Sequence, residues 1–543
     1  MTHPFFRLAS LLLVLAVVSL AAWWWPNRLV VVGAAGAGEK FNSVSFAPFR
    51  AGQSPLAERF PSAAEVEQDM ALLAPRTRAI RTYAAIEGDY DVAALAQKHG
   101  LKLWLGIWLG VDRAQNGREI ARGIAQANQY PETVARVVVG NEVLLRRDLP
   151  VDELIAAIDT VKKAVRQPVT YGDVWEFWEQ FPQVAGHVDI VTIHLLPYWE
   201  DDPTGIAGAV AHVGAVYRRM AALFAGKQVA IGETGWPSAG RARRDAVPSR
   251  VNQAIFIREF LALARREGFD YNLIEAFDQV WKYKNEGSVG ASWGVFTADR
   301  NEKFSPGGAV AEVPNWPLHA ASSIGLGFFL VGFALWRRPG LGAGGQAGLA
   351  VLGMTAGGAL GYGIAGSVPL IFDNHLLVAA AVNLPEQALL AMLLMDRASA
   401  ILAQKAMPSV RNGAAATAAV RALFRGRLPP RGAWLEDILF VFLWTAAVMQ
   451  LLLLFDPRYR DFPLPVFAVP LVAVLARAML RDLPRGGGGR EEICVGGTLA
   501  LAAIASAVNE GGLNRQSLIW NAAALVLALP PLFRLIGQKL GGK

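Results

Sequence analysis

The sequence predicts an α/β fold, a (β/α)8 TIM barrel at 40–314, followed by an all-α multi-span transmembrane domain at 315–543. The first observation is that short apolar stretches alternate with helix-period stretches between Lys40 and Pro314, as in parallel βαβ units. The length of this region fits the usual barrel size of about 250 residues. The second observation is that long apolar stretches return after Pro314. An open doubly wound sheet is the alternative to the barrel, but no GxGxxG or GxxxxGK[ST] loop follows a strand.

Residues 1–39 form a predicted N-terminal membrane anchor and linker. The stretch at 5–25 is nearly continuous apolar sequence, and about 20 such residues span a bilayer. Trp23, Trp24 and Trp25 then form an aromatic belt. A signal peptide cleaved near Ala34–Ala37 is the competing interpretation, and the length of the apolar stretch favours the uncleaved anchor.

Eight strands are predicted in the barrel region from β-branched and apolar runs between turn residues. Their predicted positions are 43–46, 79–83, 101–108, 135–141, 168–171, 190–194, 228–232 and 271–277.

The C-terminal domain is predicted to contain about seven spans. They lie at about 317–336, 346–370, 375–395, 434–455, 463–480, 493–508 and 517–536. Gly353, Gly357 and Gly361 repeat at a spacing that favours close helix packing. Asn383 and Glu386 lie within a span, where polar groups indicate either a functional site or an interhelical hydrogen bond.

The distribution of basic residues predicts the orientation. No acidic residue lies between Arg397 and Arg431, a segment that also contains Lys405, Arg411, Arg421, Arg425 and Arg427. Lys and Arg are concentrated in cytoplasmic loops. If every span crosses, Arg337, Arg338, Arg481, Arg485, Lys539 and Lys543 lie on the same side as this segment. The sequence therefore predicts an inner-membrane protein with cytoplasmic N- and C-termini and a periplasmic barrel.

Composition excludes several classes of function. The net charge of +7 comes from residues that are not gathered on a nucleic-acid-reading helix, so no nucleic-acid partner is predicted. Cys494 is the single cysteine, which excludes an intrachain disulfide and a multi-cysteine zinc site. No HExxH spacing is present, and neither a metal nor another cofactor is predicted.

Two glutamates follow β-branched stretches at equivalent places. Glu142 follows Arg-Val-Val-Val-Gly-Asn at predicted strand four, and Glu233 follows Val-Ala-Ile-Gly at predicted strand seven. The carboxyl ends of all barrel strands open on one face, so both side chains are expected in one cleft. Glycosidic bond cleavage needs such a pair, and Asn141 beside Glu142 is suited to a hydrogen bond with a sugar 2-hydroxyl.

These motifs resemble family 17 of the glycoside hydrolases, the β-1,3-glucanase family, over about 40–314. Val-Gly-Asn-Glu-Val at Glu142 is similar to the family's acid/base motif, and Gly-Glu-Thr-Gly-Trp-Pro-Ser at Glu233 to its nucleophile motif. Phe-Asp-Gln-Val-Trp-Lys ending at Lys282 and Ile-Arg-Thr-Tyr ending at Tyr83 are similar to further strand motifs. The segment His-Leu-Leu-Pro-Tyr-Trp, which begins at His194, differs from the corresponding motif of plant members. It is similar to a bacterial, membrane-attached branch of glucanosyltransferases and β-glucan synthases.

The resemblance implies a retaining enzyme with Glu233 as nucleophile and Glu142 as acid/base. Side chains at or after strand ends are candidates for substrate binding, with core packing as the alternative for each aromatic residue. The candidates are Asn141, His194, Tyr198, Trp199, Trp236, Trp281, Lys282, Trp175 and Trp178. Glu275 and Asp278 are predicted to be structural carboxylates.

The expected function is a membrane-bound β-glucan glucanosyltransferase that acts on a β-glucan donor and a sugar acceptor. A β-1,3-glucan hydrolase is one alternative, and a glucan-binding or export module is another. The lipid bilayer is an expected partner, and protein partners in glucan synthesis or export are left open.

Overall fold

The computed structural model describes residues 4–33, 40–405, 421, 424–427, 434–483 and 490–540. The chain divides into two compact units. One is Leu29–Ala311, and the other combines the N-terminal segment through Arg28 with the residues from Glu312 onward. Arg411, Arg431, Arg485, Lys543 and the segment 34–37, all used in the predictions above, lie outside the described residues.

The first unit is a closed barrel of eight parallel strands, each paired with the next in chain order and the last with the first. The predicted fold class is confirmed. The strands are β1 (Phe41–Ser45), β2 (Thr77–Arg81), β3 (Lys102–Ile107), β4 (Val134–Asn141), β5 (Val169–Val174), β6 (Ile190–His194), β7 (Gln228–Thr234) and β8 (Asp270–Leu273). Strand β8 ends earlier than the sequence predicts, because the chain bends at Ile274 and Phe277 pairs with Phe296 instead of continuing the strand.

Nine α-helices of the described chain belong to the barrel unit. They are Ala63–Leu73, Val92–Lys98, Arg113–Gln129, Val143–Arg146, Val151–Ala164, Trp175–Gln180, Ile206–Leu223, Arg250–Glu267 and Tyr283–Gly290. Several begin at side-chain caps that satisfy exposed backbone N–H groups. Ser62 and Glu65 form a reciprocal capping box, for example, and Asp91 and Asp112 each accept two backbone hydrogen bonds. These three caps fix where the helices that follow β1, β2 and β3 begin.

The two ends of the barrel unit are tied together. Val30–Val31 pairs with Ala309–Val310 in a two-stranded antiparallel sheet. Arg258, which is buried, donates hydrogen bonds to the carbonyl oxygens of Val32 at 3.0 Å and Gly308 at 2.7 Å. The chain therefore enters and leaves this unit at neighbouring points.

The second unit is helical. Its described helices are Pro4–Trp24, Trp316–Arg337, Ala343–Ser367, Asn374–Leu402, Trp434–Phe455, Ala468–Met479, Arg490–Glu510 and Arg515–Leu540. Seven segments of the described chain are long and apolar enough to cross a membrane. The stretch predicted at 463–480 is a shorter apolar helix, Leu464–Met479, which begins as a 3-10 turn at Leu464–Phe467.

Small and polar residues lie at the contacts between these helices. A Cβ added to Gly357 would lie 2.3 Å from the backbone nitrogen of Gly327, so the predicted glycine stripe does lie at a close helix contact. The buried Gln387 accepts a hydrogen bond from the Val469 N–H at 3.1 Å and donates to Asn383 at 2.8 Å. Asn383 therefore takes part in an interhelical hydrogen-bond network at the start of the short helix.

Candidate active site

Glu142 stands directly after β4 in a backbone conformation that L-residues rarely adopt. Its φ is +53°, and Gly140, at the second position before it, has φ of +84°. A Cβ on Gly140 would lie 2.8 Å from a methyl of Val143, so glycine is required for this sharp turn. The Glu142 N–H donates to the Gly172 carbonyl on β5 at 2.7 Å. The turn thus directs the carboxyl group toward the cleft, where its side chain is 24% exposed.

Glu233 lies within β7, and its side chain is only 5% exposed. The buried guanidinium of Arg81, at the end of β2, donates from Nη1 to Glu233 Oε1 at 2.8 Å and to the Gly232 carbonyl at 2.8 Å. Its Nη2 donates to Asn141 Oδ1 at 2.5 Å. Arg81 therefore ties the two glutamate-bearing strand ends to each other, a role that its strand motif in the sequence does not predict.

His194, fully buried at the end of β6, lies between the two glutamates. Its Nδ1 is 3.1 Å from Glu142 Oε1, and its Nε2 is 3.8 Å from Glu233 Oε1. One donor atom from each of these three residues lies within 4.8 Å of the others. Such atoms also suit a metal ion, but the Arg81 guanidinium already balances the charge of Glu233 and would repel a cation.

The carboxylate of Glu233 is held in its ionised form. Burial alone would raise its pKa, because a low-dielectric surrounding disfavours charge. Electrostatic interactions with His194, Arg81 and Lys282, in decreasing order, outweigh this effect and hold the pKa of Glu233 below its ordinary value. A buried, ionised carboxylate beside a second carboxyl group is suited to attack an electrophilic carbon.

Asn141 has a fixed orientation. Because its Oδ1 accepts from Arg81, the amide nitrogen must point the other way. Among the described residues this nitrogen has no protein partner within hydrogen-bond distance. It is therefore free to donate to a ligand hydroxyl beside Glu142.

Charged residues after β8 complete the site. Lys282 Nζ lies 3.1 Å from both carboxylate oxygens of the buried Glu275. Burial raises the pKa of Glu275 to about 7. Burial also lowers the pKa of Lys282, but the charges of Glu275 and Glu286 outweigh that effect and raise it. Glu286 lies in a segment that matches no motif, so the sequence does not predict it as a site residue. Burial, and next the charges of Glu142 and Glu233, raise its pKa.

The candidate aromatic residues fall into two groups. Trp178, Tyr198 and Trp236 are almost completely buried, and their polar atoms bond the carbonyls of Thr192, Arg241 and Val247, respectively. Their contacts are those of core residues. The partly exposed group consists of Trp175, Trp199 and Trp281.

Trp199 and Trp281 differ in their surroundings. The Trp199 ring stacks on Trp293 with centroids 6.3 Å apart and an interplanar angle of 22°. The Trp281 Nε1 donates to Gln279 at 2.8 Å, next to Lys282. Both rings retain accessible surface, so both are suited to contact a sugar ring.

Comparisons with known proteins place the barrel among glycan-cleaving enzymes. Residues 43–294 match the model of the BtgE/BtgC glycoside hydrolase domain. A glucan 1,3-beta-glucosidase of Schizosaccharomyces pombe is 31% identical over 254 residues, which cover 44% of this chain and 78% of the relative. A glucan 1,3-beta-glucosidase of Arthroderma benhamiae is 29% identical over 271 residues, covering 45% of this chain and 84% of the relative.

A solved structure is also similar. The glycoside hydrolase family 17 beta-1,3-glucanosyltransferase of Rhizomucor miehei is 27% identical, with a TM-score of 0.42. The match covers 49% of this chain and 97% of that chain.

Proposed function

The chain belongs to glycoside hydrolase family 17, and we propose that it is a membrane-bound retaining β-glucan glucanosyltransferase. It cleaves β-1,3-glucan and transfers the released glycosyl unit to a sugar acceptor. The observation that carries this proposal is the placement of Glu142 and Glu233 at the carboxyl ends of β4 and β7, with carboxylate oxygens within 4.8 Å of each other. Retaining enzymes hold their carboxyl groups about 5–5.5 Å apart, which leaves no room for direct attack by water.

In the first step a Glu233 oxygen bonds to the anomeric carbon while the glycosidic C–O bond breaks. Glu142 gives its proton to the departing oxygen. Arg81 holds Glu233 ionised and oriented, and Asn141 donates to the 2-hydroxyl of the bound sugar.

In the second step the hydroxyl of an acceptor sugar attacks the anomeric carbon. Glu142, now a carboxylate, takes up the hydroxyl proton, and the bond to Glu233 breaks. The partly exposed Trp199 and Trp281 support transfer over hydrolysis, because aromatic surfaces hold an acceptor sugar and exclude water.

The test is product analysis with the full-length protein in detergent. Incubation with β-1,3-gluco-oligosaccharides is expected to give products longer than the donor, and NMR is expected to show an initial β-configured product. Glu233→Gln and Glu142→Gln abolish turnover, whereas Glu132→Gln, at an exposed position outside the site, leaves it unchanged.

Three other results contradict the proposal. Exclusively shorter products identify a β-1,3-glucan hydrolase, the activity for which the curated relatives are named. An initial α-configured product excludes retention. Glucan binding without turnover, unaffected by Glu233→Gln, identifies a binding or export module.

A further inference from the structure

A carboxyl group without a partner lies in the middle of a candidate membrane span. Glu386 is the thirteenth residue of the helix Asn374–Leu402, which is long and apolar enough to cross a bilayer. Its side chain is half-buried, and within the described parts of the chain no hydrogen bond or ion pair joins it to another group. A charged carboxylate is costly at this depth of a bilayer, so the group is stable there when it is protonated and donates its hydrogen to an acceptor. Glu386 therefore requires an acceptor that the single chain does not supply.

Glu386 belongs to a face of this helix that the other described helices leave uncovered. The next residue, Gln387, is completely buried and bonds Val469 and Asn383 on the opposite side. Exposed residues that recur three or four positions apart surround Glu386: Val378, Ala381, Val382, Pro385 and Leu389. We call these five residues and Glu386 the Glu386 face. Its apolar side chains suit lipid, so the carboxyl group is the part that needs a protein neighbour.

Pro385 creates an acceptor on the same face. Proline has no N–H, so the Ala381 carbonyl lacks the backbone hydrogen bond that it would otherwise accept from residue 385. Ala381 is exposed, and its small side chain lets another helix approach the backbone closely. The Glu386 face therefore carries both a hydrogen-bond donor and a hydrogen-bond acceptor.

The donor and the acceptor reach nearly the same depth. Ala381 and Glu386 are five residues apart, which is about 7.5 Å along the helix axis. Side chains of a helix lean toward its N-terminus and backbone carbonyls point toward its C-terminus, so the carboxyl group and the Ala381 oxygen approach each other in height.

This arrangement makes the face complementary to itself. Two copies inserted in the same direction are related by an axis along the membrane normal, so groups at equal depth face each other. Each Glu386 can then donate to the Ala381 carbonyl of the second copy, which gives two equivalent hydrogen bonds. A basic residue on a different partner helix would pair with Glu386 alone and would leave the Ala381 carbonyl unused. The observations therefore favour a second copy of this chain.

We propose that the Glu386 face is the interface of a homodimer in the membrane, in which each protonated Glu386 donates a hydrogen bond to the Ala381 carbonyl of the second copy. This inference rests on the membrane-bound location in the proposed function and not on the catalytic activity.

The first test measures the dimer fraction of the full-length protein in lipid membranes, by counting single-molecule photobleaching steps of a fluorescent label at increasing dilution. Glu386→Leu removes the donor and is expected to weaken association about tenfold, the effect of losing two interhelical hydrogen bonds. Pro385→Ala restores an N–H that occupies the Ala381 carbonyl, so it is expected to weaken association as well. Glu386→Gln keeps an N–H donor and is expected to remain dimeric. The control Leu501→Ala, at a 72% exposed position on another helix, is expected to associate like the wild type.

The second test locates the contact by cysteine cross-linking in a Cys494→Ser background. A cysteine replacing Val382, which is 61% exposed, is expected to form a disulfide with the same position of the second copy under mild oxidation. A cysteine replacing Leu501 is expected not to do so.

The outcomes separate this interface from the proposed function. A membrane-bound wild type that stays monomeric at every density refutes the interface and leaves the catalytic proposal intact. Equal association of the wild type and Glu386→Leu, loss of the dimer in Glu386→Gln, or cross-linking of the Val382 position only to a different protein also refutes it. A wild type recovered outside the membrane refutes the proposed location, and the interface with it.

Discussion

Replacing Arg81 by methionine tests how the barrel keeps Glu233, the proposed nucleophile, ionised. The side chain is 1% exposed, and one nitrogen lies 2.8 Å from Glu233 Oε1. Methionine retains much of the apolar stem but removes the charge and the three hydrogen bonds to Glu233, Gly232 and Asn141. Glu233 is then a buried carboxylate without its hydrogen-bonded cation.

The distance sets the size of the effect. At 2.8 Å, and with an effective dielectric constant of about 20, two unit charges attract by about 6 kcal/mol. Breaking a buried pair typically costs about 3–5 kcal/mol, and the remaining interactions of Glu233 with His194 and Lys282 favour the lower end of that range. Glu233 avoids this cost by binding a proton, so its pKa rises. At 1.36 kcal/mol per tenfold change in proton concentration, the acidic limb of the pH–activity curve moves up by about 2 in pH.

The assay is the initial rate of β-1,3-glucan turnover between acidic and neutral pH. Arg81→Met is expected to lose activity first at low pH, and to remain about a hundredfold below wild type at its own optimum because Glu233 and Asn141 are no longer oriented. Arg81→Lys keeps the positive charge without the two-pronged geometry, so its acidic limb moves less. Coincident acidic limbs for wild type and Arg81→Met would refute the reasoning.

Three further predictions follow from single contacts. Trp199→Ala removes a partly exposed ring and is expected to raise the KM for glucan about tenfold with little change in kcat, measured by steady-state kinetics. Gln387→Leu removes the bonds to Val469 and Asn383 and is expected to lower stability by about 1–2 kcal/mol, seen as a reduced melting temperature in detergent. Burial raises the pKa of Glu87 to about 8, so between pH 4.5 and 8 the unfolded chain is ionised there and the native one protonated, and stability falls as pH rises. Glu87→Gln is therefore expected to melt higher than wild type at pH 7.5 but not at pH 4, and a uniform change at both pH values would contradict this.

The barrel and its two glutamates were predictable because their signals are local. A β-branched run followed by glycine and glutamate places a carboxyl group at a strand end, and parallel strands bring such ends to one face. Glu142 and Glu233 are 91 residues apart in number, yet both follow this rule. No contact between distant segments had to be known.

Arg81 and Glu286 were not predicted as site residues because their roles depend on long-range pairing. An arginine in a strand is ordinarily expected at the surface, and only the partner 152 residues away explains its burial. Glu286 lies beyond β8 in the helix Tyr283–Gly290, and no strand-end pattern in the sequence marks this segment. The position of that helix brings Glu286 near the other acidic residues. For the tryptophans, a position after a strand end predicts the face of the barrel but not how far the side chain is buried. Trp178 and Trp199 both follow strand ends, yet Trp178 is buried and Trp199 is partly exposed.

The helices that precede and follow residues 29–311 in the sequence meet at one end. Trp23 Nε1 donates to Ser323 at 3.0 Å, and the Val313 N–H donates to Asn27 at 3.1 Å. The end of the first helix therefore lies beside the start of Trp316–Arg337, and if both helices cross a bilayer, the chain leaves and re-enters it at the same face.

The basic segment that includes Arg425 must then lie on the opposite face if the intervening helices cross, and basic segments are retained in the cytoplasm. In a Cys494→Ser background, a cysteine replacing Arg425 is expected to resist a membrane-impermeant thiol reagent in intact cells and to react after permeabilisation. A cysteine replacing the exposed Glu132 of the barrel is expected to react without permeabilisation. The opposite labelling pattern would place the barrel in the cytoplasm and overturn both the topology and the access to an external glucan.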